Sequence, residues 1–183
     1  NGSRWVRPGD LEANLRLRVF LVREFGLMEK FVPVGLSCGG LHALKQAARY
    51  PQMGSVLCLD APVVNLLSCP FGMGVGTSVK PSAQQELMAA LGLSRSQMLA
   101  YRDHPLDHIG EIVVHRIPLL LMCGGKDTSV PFEENGQYLR DAYAQSTVPF
   151  MELFMPNRGH HPHGPDTPQA MAQAVEFIAK NDA

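Results

Sequence analysis

Seven consecutive residues, Ile117-Pro118-Leu119-Leu120-Leu121-Met122-Cys123, carry no charged or hydrogen-bonding side chain. A strand of this kind has no wet face. It needs cover on both sides, as a central strand of a parallel sheet has between two layers of helices. The rest of the sequence is consistent with that demand. Short β-prone runs at 31–36, 55–59 and 150–154 alternate with helical patterns. Leu11, Leu15, Val19 and Val22 keep helical spacing between Asp10, a candidate cap, and Gly26, a candidate stop. A second helix is expected from about 39 to 50, ending before Pro51. A polar helix follows the long strand at about 133–145. A last one spans 169–180, with Met171, Ala174, Val175 and Ile178 on one face. Strands alternating with helices imply βαβ units, right-handed crossovers and an α/β fold with a parallel sheet.

Between 61 and 105 the pattern loosens, with Gly72, Gly74 and Gly76 followed by a helix expected through 86–91. The expectation is one domain over residues 1–183 carrying a small lid insertion at about 61–105. Phe71, Met73, Leu87, Met88, Leu91 and Met98 within it either line an apolar pocket or pack the insertion onto the core.

Composition narrows the function classes. The chain has 16 basic and 17 acidic residues, a net charge of −1, which gives no electrostatic footprint for nucleic acid or an anionic membrane. No apolar run approaches the length of a membrane span. Cys38, Cys58, Cys69 and Cys123 form no CxxC pair, so buried free thiols and a cytoplasmic location are expected, a Cys58–Cys123 bridge being the alternative.

The sharpest motif is Gly35-Leu36-Ser37-Cys38-Gly39, followed by Gly40, at a strand-to-helix junction. This G-x-S-x-G pattern forces its serine into a tight, strained turn at a helix N-terminus. Residues two before and two after the serine are expected to crowd one another. Ser37 is the candidate nucleophile, with Cys38 the lesser one. The N–H groups of Cys38 and Gly39 are candidate oxyanion donors.

A serine hydroxyl needs a base, and an imidazole base needs a carboxylate to fix its tautomer. Asp127 closes the Gly124-Gly125-Lys126-Asp127 turn directly after the long apolar strand, with Asp60, after the preceding strand, as the alternative acid. The loop after the last strand reads Gly159-His160-His161-Pro162-His163. His160 is the first choice of base and His161 the second. Three histidines in four residues also fit a metal site, but no cysteine or carboxylate cluster stands at ligand spacing beside them, so no metal and no cofactor is expected. His42, His104, His108 and His115 read as surface or structural residues.

These segments together resemble the α/β-hydrolase superfamily: Gly-Leu-Ser-Cys-Gly-Gly its nucleophile elbow, Gly-Gly-Lys-Asp with Val130-Pro131 its acid loop, Gly-His-His its histidine loop. Leu59-Asp60-Ala61-Pro62 and Ser68-Cys69-Pro70, with the histidine run, further resemble a group of uncharacterised bacterial members. The resemblance implies a serine hydrolase acting on a small-molecule carboxylic ester or related acyl bond through an acyl-enzyme. The alternative is a non-catalytic member that binds a ligand or partner. It also implies a larger sheet than the four strands read here. The strand at 31–36 is therefore expected to show an open apolar edge, completed by an upstream segment or by a second chain.

Overall fold

The computed structural model describes residues 4–7, 9–76 and 81–182, with the backbone alone at Pro81. Four strands form one parallel sheet in the order β1-β2-β3-β4: Val34–Leu36, Leu57–Asp60, Leu119–Gly124 and Phe150–Met155. The apolar run is β3, every residue of it buried, paired on one side with β2 (Leu59 opposite Leu121) and on the other with β4 (Leu121 opposite Glu152).

Side chains of a strand alternate between faces, and both faces here are filled. Leu57, Leu59, Leu119, Leu121 and Cys123 pack with residues from helices α2 (Cys38–Arg49), α5 (Ile109–Val114) and α6 (Gly136–Ala144). Cys58, Leu120 and Met122 pack on the other side with Ala174 and Phe177 of α7 (Pro168–Asn181). Cys58 and Cys123 thus lie in different clusters on opposite faces, and all four cysteines are free. Burial pushes the Cys58 thiol up to about 11 and the Cys69 thiol up to about 12, where both stay protonated.

The first helix, α1 (Asp10–Phe25), ends at Gly26 in the left-handed conformation, as the sequence predicts. Its start differs. Gly9 is the cap, and Asp10 lies inside the first turn, accepting from the Arg7 amide at 2.9 Å. Asp10 is also the helix's one buried residue, while Leu17, Val19 and Phe20 are exposed. The face of α7 is shifted as well. Ala174 and Phe177 are buried and Ile178 packs beside them, whereas Met171 and Val175 face solvent. A Phe at 177 offers more apolar area than a Val at 175 and takes the core side.

After β2 the chain carries α3 (Pro81–Leu91) and α4 (Arg95–Ala100) before α5. Phe71, Leu87 and Met98 sit in a cluster with Trp5, Leu41, Val63 and Leu66, and Met73 is exposed. The apolar residues of this stretch pack it onto the body of the molecule. Residues 77–80 of the expected insertion lie outside the described residues.

Candidate active site

β1 ends one residue before Ser37, and α2 begins one residue after it. The turn between them gives Ser37 φ 53° and ψ −119°, a conformation that L-residues with a Cβ seldom hold. Hydrogen bonds maintain the strain: the Ser37 amide donates to Asp60 O at 3.0 Å, and the Val63 amide donates to Ser37 O at 3.0 Å. The glycines explain the close approach, with one change from expectation. A Cβ on Gly35 would stand 2.8 Å from Gly39 O and from Gly40 Cα, and one on Gly40 would stand 2.4 Å from Pro62 Cβ. A Cβ on Gly39 meets nothing. The second crowded position is therefore Gly40, because Pro62 leans against it.

The other two groups arrive on loops past the ends of β3 and β4. The loops are joined by backbone bonds, Gly125 N to Met155 O and Lys126 N to Arg158 O, both at 2.9 Å. Asp127 Oδ1 accepts from the amides of Ser129 and Val130 at 2.8 Å each, which fixes the carboxylate in its own turn. Its Oδ2 stands 2.8 Å from His160 Nδ1, and His160 Nε2 stands 3.1 Å from Ser37 Oγ. Hydroxyl, imidazole and carboxylate form one hydrogen-bonded line from residues 37, 160 and 127. Burial works to raise the Asp127 pKa. The bonds from His160 and the Val130 and Ser129 amides outweigh it and hold the carboxyl below its ordinary value.

Cys38 and Gly39 open α2, so their N–H groups belong to the first turn, where no intrahelical acceptor exists and the helix dipole is positive. Burial pushes the Cys38 thiol up, away from the thiolate form a cysteine nucleophile needs. Beside Ser37 and His160 lies a cavity of about 200 Å³ walled by Trp5, Cys38, Val63, Cys69, Ala83 and Val130. None of the six apolar residues singled out in the 61–105 stretch borders it.

Comparison with solved structures reveals the same architecture in larger proteins. A puromycin hydrolase superposes with a TM-score of 0.68 at 23% identity, covering 93% of this chain and 25% of that one. An S-formylglutathione hydrolase from Agrobacterium tumefaciens gives 0.60 at 16%, covering 93% and 56%. Dipeptidyl peptidase 4 of Porphyromonas gingivalis gives 0.69 at 15%, covering 97% and 24%. The chain has the α/β-hydrolase fold. It spans about a quarter of the length of the puromycin hydrolase it resembles. No protein-family model matches the sequence, and no curated protein matches it.

Within this α/β-hydrolase fold, Asp60 has a different part from the one weighed for it. It is fully buried and holds the guanidinium of Arg158 with both oxygens, Oδ2 at 3.1 Å from Nη1 and Oδ1 against Nη2. It also accepts from the Gly164 amide at 2.6 Å, and Arg158 Nη1 donates to Gly164 O at 2.8 Å. This clasp fastens both ends of the histidine loop to the end of β2. Burial lowers His163 below the ordinary imidazole value against the opposing pull of Asp60, whose Oδ2 lies 3.4 Å from its Nδ1. His161 is exposed, its ring set edgewise to His160 at 4.8 Å.

Sequence reasoning also missed the polar side chains that hold the stretch after β2 in place. Asn135 Oδ1 accepts from the amides of Val64 and Asn65 at 3.0 and 3.1 Å. His104 Nδ1 accepts from Leu66 N at 3.1 Å, and Glu134 accepts from Val75 N at 2.7 Å and from Ser68 Oγ. Glu134 and Asn135 sit together just before α6, and an Asn immediately ahead of a helical stretch was the one available sign. No helix among the described residues is long and apolar enough to cross a membrane.

Proposed function

We propose that this chain carries the catalytic centre of a serine hydrolase that cleaves a small-molecule carboxylic ester or a related acyl bond, with no cofactor. The observation that supports it is the relay of Ser37, His160 and Asp127, assembled from positions 123 and 33 residues apart at 3.1 and 2.8 Å. Ser37 Oγ attacks the carbonyl carbon as its proton passes to His160 Nε2, while Asp127 holds Nδ1–H and stabilises the imidazolium. The oxyanion forms against the first-turn amides of Cys38 and Gly39. The bond to the leaving group then breaks, and that group takes the proton from His160. Water repeats the sequence on the acyl-enzyme, releasing the acid and restoring the serine. The cavity beside Ser37 is below the roughly 300–1,000 Å³ of drug-sized sites and suits a small acyl group. The neighbours in structure include peptidases as well as an S-formylglutathione hydrolase, and the same acyl-transfer steps serve either kind of bond. Four free cysteines, three of them buried, favour a reducing, cytoplasmic setting.

A fluorophosphonate probe tests the reading directly. Ser37 should displace fluoride and be phosphonylated, with the label on the peptide containing residue 37 and absent in Ser37→Ala. Folded wild-type protein that stays unlabelled overturns the proposal.

A further inference from the structure

The histidine loop holds more than the relay requires. His160, His161 and His163 turn their rings toward one another, with centroids 4.8 to 5.1 Å apart and planes near perpendicular. One nitrogen from each lies within 4.8 Å of the other two, and among the described residues this is the only such cluster of metal-ligating side chains. Acyl transfer uses His160 alone.

One of the three imidazoles is hydrogen-bonded to a carboxylate, Asp127 holding His160 Nδ1 at 2.8 Å. His163 Nδ1 lies 3.4 Å from Asp60 Oδ2, buried and without a hydrogen-bond partner among the described residues. A carboxylate behind a histidine is the arrangement that orients imidazole ligands and raises their basicity in metal centres. Asp60 is itself fixed by Arg158 and the Gly164 amide, so the negative charge beside His163 has a set position. The sequence shows the three histidines but hides both carboxylates, which come from positions 60 and 127.

We propose that His160, His161 and His163 form a facultative site for a borderline divalent cation of the zinc class, and that its occupation switches the relay off. Nitrogen donors select zinc, copper, nickel or cobalt over magnesium and calcium. Zinc–nitrogen bonds of about 2.0–2.1 Å in a tetrahedron set ligand nitrogens about 3.3 Å apart. The widest pair must therefore close by roughly 1.5 Å, which ring rotation in a half-exposed loop supplies. Asp127 already engages Nδ1 of His160, so the ion takes Nε2. That is the nitrogen facing Ser37 Oγ at 3.1 Å. A metal there leaves Ser37 without its base. The switching half of the proposal rests on the hydrolase reading; the binding half does not.

Zinc titration of the metal-free protein by calorimetry should show one strong equivalent, and Co²⁺ should give the visible absorption of a low-coordinate centre. His161→Ala and His163→Ala should each weaken zinc at least as much as loss of an outer-shell partner does, roughly 10–100-fold. His115→Ala, an exposed histidine on another loop, should leave the affinity unchanged. Zinc should suppress turnover, a chelator should restore it, and the half-inhibiting concentration should rise in each loop variant by the factor read from calorimetry. Equal zinc affinity in wild type, His161→Ala and His163→Ala overturns the site, as does no binding at millimolar zinc. Intact binding with full activity overturns the switch. A protein that binds zinc in the expected variant pattern yet never reacts with fluorophosphonate keeps the site and loses the hydrolase.

Discussion

The two sides of the sheet are built differently. At the β3–β4 side, six-residue strands pair along their full length; β3 is buried throughout between α6 and α7, and the edge strand β4 is half-buried over most of its length. At the β1 side the strand is three residues long, and Phe31, Val34 and Leu36 are exposed with Leu17, Val19 and Phe20 of α1 nearby in sequence. A groove of about 390 Å³ opens there, lined by Leu17, Leu21, Val22, Leu27, Met28 and Phe31 among others. The candidate site draws on both sides: Ser37 from the thin one, Asp127 and His160 from the thick one. What holds Ser37 is inward-facing, its amide on Asp60 O and its carbonyl under Val63 N, both at the end of β2. A candidate nucleophile can therefore stand one residue beyond an open edge and still be fixed.

The largest expected effect isolates the thick side's chemistry. In Asp127→Asn, the amide oxygen can still accept from Ser129 and Val130, while the NH₂ faces His160 Nδ1 and cannot accept its proton. The imidazole turns to the wrong tautomer, and kcat should fall on the order of 10⁴-fold. Steady-state kinetics on an activated ester measures it, and a fall below tenfold would detach the acid from the relay. The same variant reports on stability. Asp127 is held below its ordinary value when folded, so its contribution is fully present above about pH 4 and is lost as pH falls through the lower folded value. Wild type should be the more stable protein at neutral pH, with the gap closing in acid. A gap that widens on acidification contradicts the sign.

Next in size is the clasp that ties the thick side to the centre. Asp60→Asn leaves Arg158 buried without its counter-charge, and removing one partner of a buried pair costs about 3–5 kcal/mol. Denaturant unfolding should show that loss. The double variant Asp60→Leu with Arg158→Met should recover part of it, since an apolar pair carries no desolvation penalty. A single variant as stable as wild type would mean that the histidine loop is held by its backbone bonds alone.

How much of this was legible in the sequence divides along the same line as the physics. Strand β3 was readable because an all-apolar run has one way to be satisfied, and β2 and β4 because short β-prone runs alternate with helical stretches on either side of it. The three loops of the relay were readable because glycines and their order in the chain mark them. α4 and α5, six residues each, are too short for a period to show. On α7 two faces fit the same spacing, and only the packing of Phe177 separates them. The Asp60–Arg158 clasp joins residues 98 apart, and no local pattern says which buried charge will find which partner. The likeness of Gly39 and Gly40 in the sequence likewise hides that Pro62 presses on only one of them.

The smallest effect is the one that tests the comparison itself. Leu121 is wholly buried between its neighbours on β2 and β4, so Leu121→Ala removes atoms that cannot be replaced and should cost about 2–5 kcal/mol. Val34 is also in a strand, paired with Cys58, but it is 62% exposed. Val34→Ala should change stability by no more than about 0.5 kcal/mol, as surface substitutions do. Both values come from paired denaturant titrations of one preparation. Should Val34→Ala instead cost as much as Leu121→Ala, the side chain must be buried in solution. The thin edge would then be thin only within this chain, with its apolar face covered by something else.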